Sequence, residues 1–399
     1  MPLSIHLNKR TLRAWTHTLH KWLGLTLGLL FSLLGVTGSL LVFYPELDLA
    51  AHPSMSARPP VSLVSPARIV EALRQAEPER PGAWRIELPR SDNAPITARY
   101  YNPPETAHRA FAPLIVTLDP TTLAVTSKRF WGDDFFTWIY DLHYSLLLGE
   151  TGKTLLGIAS LLVLALLLSG LYLWWPSQGG WKGALSIKSN AVWKRRIYDL
   201  HAKPGAYGLL LTATLTLSGL VLVVPGWFTP SIDAISPLHR LYQVQALTTP
   251  ADIRISADEA LRIARERFPD ADVRWIHTPT PTQAVWRIQM RAAGEPNRRF
   301  PRTNVWIDAG NGAILAIRNP RQNSAGDTFM DWLHPLHNGE AFGLTGRIIV
   351  LLCGLLPLLA MVTGFIRWRH KQRPGQREGR QNPLASGAPA LNPGPCGES

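Results

Sequence analysis

Two stretches of this chain repeat one another at matched spacing, and each leads a histidine into an apolar run of membrane-crossing length. Phe135-x2-Trp138-x4-His143-x5-Gly149-x-Thr151-Gly152-Lys153 returns as Phe329-x2-Trp332-x4-His337-x5-Gly343-x-Thr345-Gly346-Arg347. In both copies the last glycine is followed 17 positions later by a small residue and a glycine, Ser169-Gly170 and Thr363-Gly364. A second pair repeats as well: His20-x3-Gly24 leads to Thr37-Gly38, and His201-x3-Gly205 leads to Ser218-Gly219, over the same distance. The chain reads as a tandem duplication of a two-helix unit, with a histidine near the start of every helix. An ionisable side chain next to lipid is expensive, so this placement points to function.

Four windows, at about 22–44, 154–175, 205–228 and 344–366, are apolar over the roughly 20 residues a bilayer requires. The expected fold class is an α-helical membrane protein with four transmembrane helices and two external α+β domains. Small residues recur in each helix, such as Gly24, Gly28, Gly35 and Gly38 in the first, and let a backbone or a planar ligand approach closely. The basic residues set the orientation. Residues 1–44 carry Lys9, Arg10, Arg13 and Lys21, the connection 176–203 carries six Lys or Arg against Asp199, and the tail from Arg367 is also basic. These three segments account for the whole net charge of +13. The positive-inside rule then puts both termini and the middle connection in the cytoplasm of a bacterial inner membrane, crossed several times. The basic pI reports this orientation and gives no reason to expect nucleic acid as a partner; the lipid bilayer is the expected one.

The resulting organisation is an N-terminus with the first helix (1–44), a first periplasmic domain (45–142), an outer juxtamembrane segment with the second helix (143–176), and a cytoplasmic loop (177–204). The third helix (205–228), a second periplasmic domain (229–336), an outer juxtamembrane segment with the fourth helix (337–368) and a disordered tail (369–399) complete it. The first helix is read as retained: it is long for a signal peptide, Tyr44-Pro45-Glu46 follows it directly, and it has a partner in the second half. The two cysteines, Cys353 and Cys396, fall outside both periplasmic segments, so no disulfide is expected there, and no Cys-x-x-Cys-His offers covalent haem attachment.

Each external segment shows a helix followed by strands. In the second, Ser256-x-x-Glu259 has capping-box spacing ahead of an apolar-striped helix, and strands are expected at 284–290, 303–308 and 313–318 around the turn Ala309-Gly310-Asn311-Gly312. In the first, a helix at 66–76 precedes strands at 84–88, 96–101 and 114–118.

With these features in view, the chain resembles the PepSY-associated transmembrane-helix family, which includes iron-regulated membrane proteins and ferrisiderophore reductases. The residues carrying the resemblance are His20-Lys21-Trp22-Leu23-Gly24, Asp141-Leu142-His143, Asp199-Leu200-His201, Leu336-His337 and the helix and hairpin of the second external segment, across about residues 12–370. The resemblance implies external domains of PepSY type and two non-covalent haem b groups in the membrane. It also implies outward electron transfer to ferric siderophores in the periplasm.

The residues lead to haem by a separate route. A low-spin electron-transfer haem takes two strong axial ligands on opposite faces, and neutral imidazole suits that role. His20 and His201 fall at the cytoplasmic ends of duplicated helices, and His143 and His337 at the external ends, giving one symmetric bis-His pair per membrane face. His17, one turn from His20, competes for the inner site, and His334 competes with His337 for the outer one. Lys153 and Arg347, equivalent by repeat, either pair with haem propionates or anchor helix ends at the headgroups. Trp131, Trp138 and Trp332 are candidate edges of an acceptor site, and Asp133, Asp134 and Asp327 are candidate cation or proton sites. His6, His52, His108, His239, His277 and His370 have no functional partner in the pattern.

No Gly-x-Gly-x-x-Gly follows a strand, and no cytoplasmic segment is long enough to enclose a flavin. The electron donor is therefore expected to be a cytoplasmic reductant or a membrane quinol. The expected activity is a haem-dependent ferric-chelate reductase that frees iron by reducing Fe(III) to Fe(II). Two other classes compete: a metal permease, which calls for polar helix centres, and a non-catalytic PepSY anchor that binds a periplasmic partner and holds no cofactor.

Overall fold

A computed structural model describes residues 8–56, 64–82, 84–176, 180–186, 190–239 and 244–372. In chain order, α1 (Lys9–Leu41) is followed by α2 (Pro66–Ala76), β1 (Trp84–Glu87), β2 (Ile96–Tyr100), β3 (Leu114–Leu118) and β4 (Val125–Phe130). Next come α3 (Phe135–Ser145), α4 (Gly149–Trp174), α5 (Trp193–Tyr207) and α6 (Leu209–Val223). The second half continues with α7 (Ala257–Arg267), β5 (Asp272–His277), β6 (Val285–Arg291), β7 (Thr303–Asp308) and β8 (Ile314–Arg318). It closes with α8 (Ala325–His337), α9 (Gly343–Gly354) and α10 (Leu356–Gln372). Most of the basic tail that the sequence places at 369–399 lies outside the described residues, as does Lys188 of the middle connection.

Among the described residues three helices are long and apolar enough to cross a membrane: Lys9–Leu41, Gly149–Trp174 and the nearly continuous run Glu340–Gln372. The fourth window is not one straight rod. α5 and α6 meet at a bend of 61° and make a fourth crossing only if the two are taken together. Pro204 sits inside α5 four residues before the break, where it offers no amide N–H to its own helix and its ring crowds the preceding turn. Gly208 occupies the break, with a terminal methyl of Leu356 of α10 packed against its Cα. α1 packs against α4, α9 and α10, α6 against α4, and α5 against α10. α1 crosses the α9–α10 junction closely: Gly35 lies against the Gly354 carbonyl, and the Ser39 hydroxyl donates to the Leu351 carbonyl at 2.8 Å.

The extramembrane mass departs from the two-domain expectation. All eight strands form one antiparallel sheet in the order β4-β3-β2-β1-β5-β6-β7-β8, so each half of the chain supplies one half of the sheet. The seam is β1 against β5, pairing Arg85 with His277, Ile86 with Ile276 and Glu87 with Trp275. One core runs under both halves. It buries Ile69 and Leu73 of α2, Leu261 of α7, and the inward residues Ile86, Ile96, Leu114, Ile276, Ile288, Val305 and Ile307 of the sheet. α2 and α7 also meet directly, where the Ser65 hydroxyl donates to Asp258 at 2.6 Å.

Two strands were not expected from sequence. β4 is an edge strand with little burial, and β5 carries charged residues through the middle of the sheet. At α7 the Ser256 oxygen accepts from the Glu259 N–H at 3.2 Å, but the Glu259 carboxylate turns to Arg262, so only half of the capping box forms. A complete capping box occurs at Ser324 and Asp327, opening α8.

Candidate functional site

The histidines gather in two pairs. The rings of His20 and His201 lie 6.2 Å apart, centroid to centroid, at an interplanar angle of 83°. Those of His143 and His337 also lie 6.2 Å apart, at 50°. The second pair stands on the sheet side, since α3 follows β4 and α8 follows β8; the first stands toward the far end of the bundle.

Every one of the four rings is held in the same way, by the small-residue–glycine pair of a neighbouring helix. His20 Nδ1 lies 3.0 Å from Ser169 Oγ and 3.3 Å from the Leu166 carbonyl. His201 Nδ1 lies 3.2 Å from Thr363 Oγ1 and 3.0 Å from the Ala360 carbonyl. His143 Nδ1 lies 3.0 Å from Thr37 Oγ1 and also meets the Leu34 backbone. His337 Nδ1 lies 3.1 Å from both Ser218 Oγ and the Leu215 carbonyl. In each case the carbonyl belongs to the residue three before the hydroxyl. Each hydroxyl donates into its own helix, for example Thr37 to the Leu33 carbonyl at 2.8 Å and Ser218 to the Thr214 carbonyl at 2.7 Å. Its oxygen is therefore free to accept.

This arrangement fixes the tautomer. A carbonyl only accepts, so Nδ1 must carry the proton, and Nε2 is left with its lone pair. Nε2 has no hydrogen-bond partner among the described residues at any of the four rings. The glycine after each hydroxyl makes room for the ring. A Cβ at Gly38 would stand 2.9 Å from His143 Cε1, at Gly170 3.0 Å from His20 Cε1, at Gly219 2.9 Å from His337 Cε1, and at Gly364 3.2 Å from His201 Cε1. Within each half the exchange is reciprocal: α1 sends His20 to α4 and receives His143 at its other end.

The remaining motif glycines shape the turn beside the sheet-side pair. Gly149 and Gly343 have φ of 57° and 62°, in the left-handed region that glycine enters without penalty. At Gly152 and Gly346 no Cβ fits, because the carbonyls of Ser145 and Gly339 pack there. Leu146 and Leu147 also have positive φ, 52° and 61°, directly after α3. Such backbone is costly for a branched side chain and tends to cluster at functional sites.

Not every expected residue joins these pairs. His17 is exposed on α1 and is paired with no other imidazole among the described residues. His334 turns away from His143: its ring stacks edge-on to Phe300 at 5.1 Å, and its Nδ1 lies 3.6 Å from Glu340. Lys153 pairs with Glu150 at 2.7 Å and lies over the Tyr144 ring. Arg347 pairs with Glu46 at 2.7 Å, donates to the Val42 carbonyl at 2.8 Å and lies over Phe43, tying the start of α9 to the end of α1. Trp131 is buried, its indole N–H donating to Asp141 at 2.8 Å, whereas Trp138 and Trp332 are exposed. Asp133 and Asp134 are held by Arg109 and Arg129, and Asp327 serves the α8 cap and His239. What sequence reasoning missed is the role of the Ser/Thr–Gly pairs. Their repetition was the available signal.

Chemically, each pair offers two imidazole lone pairs. Imidazole–metal bonds are about 2 Å long, so two rings on opposite sides of one metal place their centres about 6 Å apart. Among the described residues no three His, Cys, Asp or Glu side chains come together as a metal centre. Two nitrogens so placed could serve a metal that brings further ligands of its own.

The chain matches the PepSY-associated TM region family over residues 17–371 and belongs to it, as a membrane protein of that family. No curated protein matches it.

Proposed function

We propose that the chain is a di-haem electron carrier of a bacterial inner membrane, passing electrons outward to a ferric siderophore or another ferric chelate in the periplasm. The observation that carries this reading is the twice-repeated imidazole pair, with every Nδ1 occupied by a hydroxyl and a carbonyl and every Nε2 free. His20 and His201 would hold one haem b at the cytoplasmic face, and His143 and His337 the other at the periplasmic face, both without covalent attachment. Haem with two imidazole ligands supplies one-electron chemistry.

The protein's own contribution is positional. Ser169, Thr363, Thr37 and Ser218 fix ring orientation and raise imidazole basicity, as hydrogen-bonded second groups do for metal ligands. The four glycines admit the rings, and the apolar helices exclude water. A quinol or a cytoplasmic reductant gives up the electron at the inner side. A ferric chelate takes it at the outer side, where Fe(II) is bound less tightly by hard oxygen ligands.

The test is to reduce the purified, haem-containing protein with a stoichiometric amount of dithionite and mix it anaerobically with ferric citrate. Reoxidation of the haem bands matched by Fe(II) formation, followed with an Fe(II)-specific dye, is the expected result. Haem that stays reduced, or Fe(II) formed no faster than in protein carrying His143→Ala, contradicts the reading.

A further inference from the structure

The sheet face opposite the apolar core carries basic side chains in direct register across the strands. Arg129 of β4 pairs with Ile115 of β3, Ile115 with Arg99 of β2, and Arg99 with Arg85 of β1. Across the seam Arg85 pairs with His277 of β5, and His277 with Arg287 of β6. Residues directly opposite on a sheet stand about 4.5–5.5 Å apart, and like charges there are destabilising. Arg99 and Arg85 are thus held side by side against their own repulsion, and Arg287 follows beyond His277, whose ring burial and the flanking arginines push toward the neutral form.

Of the neighbouring carboxylates only Glu87 acts on the row, at longer range, favouring the charged forms of Arg85 and Arg99. Glu87 pairs with Arg90, Asp331 with Arg302 and Arg318, and Glu340 with His334, while Asp48 and Asp134 pair with Arg129. Among the described residues Arg85, Arg99 and Arg287 have no carboxylate at salt-bridge distance. They rest on neutral groups: Arg85 lies 3.9 Å over Trp275 and donates to the Tyr101 hydroxyl at 3.1 Å, Arg99 lies 5.4 Å from both Trp131 and Trp275, and Arg287 lies 5.1 Å from Trp306 and donates to Asn304 Oδ1 at 2.8 Å. Arg99 is only 8% exposed. The Nε atoms of Arg85 and Arg99 and the Nε2 atom of His277 are buried without a hydrogen-bond partner. Burial, aided by the charges of Arg85, Arg302 and Arg318, pushes Arg287 down to about 10. Phe300 lies 5.6 Å from Arg85 and 5.1 Å from His334, three residues before His337 in α8.

We infer that this row is a binding site for an anion bearing two or more carboxylates, held by Arg99, Arg85 and Arg287. A carboxylate matches the guanidinium fork and is bound in bidentate fashion, more tightly than by a point charge. More than one is needed, because Arg99 and Arg287 stand three strand intervals apart, roughly 14 Å at the usual spacing. The carboxylates belong either to a soluble polycarboxylate or to the propionates of a haem at His143 and His337. The inference stands on the sheet register, and only its propionate source rests on the haem reading above.

Citrate is the probe, titrated calorimetrically into the full-length protein, with haem content measured on the same samples. Arg85→Gln and Arg287→Gln are compared with wild type singly and together, and Arg85→Lys keeps the charge but not the fork. Citrate binding that weakens about tenfold in each Gln variant, and less in the Lys variant, assigns the site to a soluble anion. No citrate binding in wild type, with haem lost from the double variant, assigns it to propionates. Melting temperature reports folding and is expected to hold or rise as repulsion is removed. If wild type binds no citrate and the variants keep their haem, the inference is overturned. It is overturned equally if binding is lost only in variants whose melting temperature collapses.

Discussion

A hydrogen atom at Gly38 is what lets the His143 ring stand where it does. A methyl group there would lie 2.9 Å from Cε1, closer than carbon atoms approach, and the adjoining helix backbone cannot retreat without disturbing α1. Gly38→Leu is therefore expected to displace the ring and lower haem content from about two per chain to about one, read by pyridine haemochrome. Gly205, which faces open space, is the control, and Gly205→Ala should leave the content unchanged. Thr37→Val removes the oxygen that receives Nδ1–H but keeps the shape of the site. Loss of such a supporting partner costs about 10–100-fold in metal affinity, measurable as faster haem transfer to apomyoglobin. The pairing of the four histidine rings was legible in sequence because the repeated spacing marks them. The choice of His337 over His334 was not, since it depends on how α8 is rotated about its axis, and that is set by tertiary contacts such as the Phe300 and Glu340 contacts of His334.

The hairpin between β7 and β8 is organised by one carboxylate. Asp308 is fully buried and accepts from the N–H groups of Leu247, Thr248, Gly310 and Asn311 and from the Thr248 hydroxyl. These hydrogen bonds outweigh the cost of burial and hold the group down to about 2. A carboxylate with a depressed folded-state pKa contributes stability that is present above its unfolded value of about 3.9 and lost as pH falls through the folded one. Stability of the sheet domain is thus expected to drop between about pH 4 and 2, and Asp308→Asn should flatten that drop. Asp308→Ala leaves several buried donors unpaired, at about 1–3 kcal/mol for such a group, and should lower the melting temperature followed by circular dichroism. The Asp308 turn was readable from Ala309-Gly310-Asn311-Gly312, and α7 from its cap spacing and apolar stripe. β4 and β5 were not readable, because neither alternates cleanly between apolar and polar residues; their pairing comes from the strands on either side. The bend before α6 had a local sign in Pro204.

Taken as one molecule, the two halves of the chain meet twice, at two histidine pairs in the helices and at the β1–β5 seam of one sheet. The sequence suggests two external domains, because pairing between strands almost two hundred residues apart leaves no local trace. It follows that neither half of the sheet is a self-sufficient fold: alone, residues 45–134 would expose the β1 edge and half of a shared core. Expressed as a fragment, that segment is expected to lack a cooperative thermal transition by circular dichroism; a sharp transition would contradict the shared-core account. The anion row belongs to this scale as well, since it exists only when β1 and β5 are joined. The central claim is that the paired imidazoles bind haem, and the most direct measurement is the absorption spectrum of the purified protein, oxidised and dithionite-reduced, with pyridine haemochrome quantification. Sharp low-spin b-type bands at about two haems per chain, falling to about one in either His20→Ala or His143→Ala, are the result this account predicts. A colourless protein from cells well supplied with haem would contradict it.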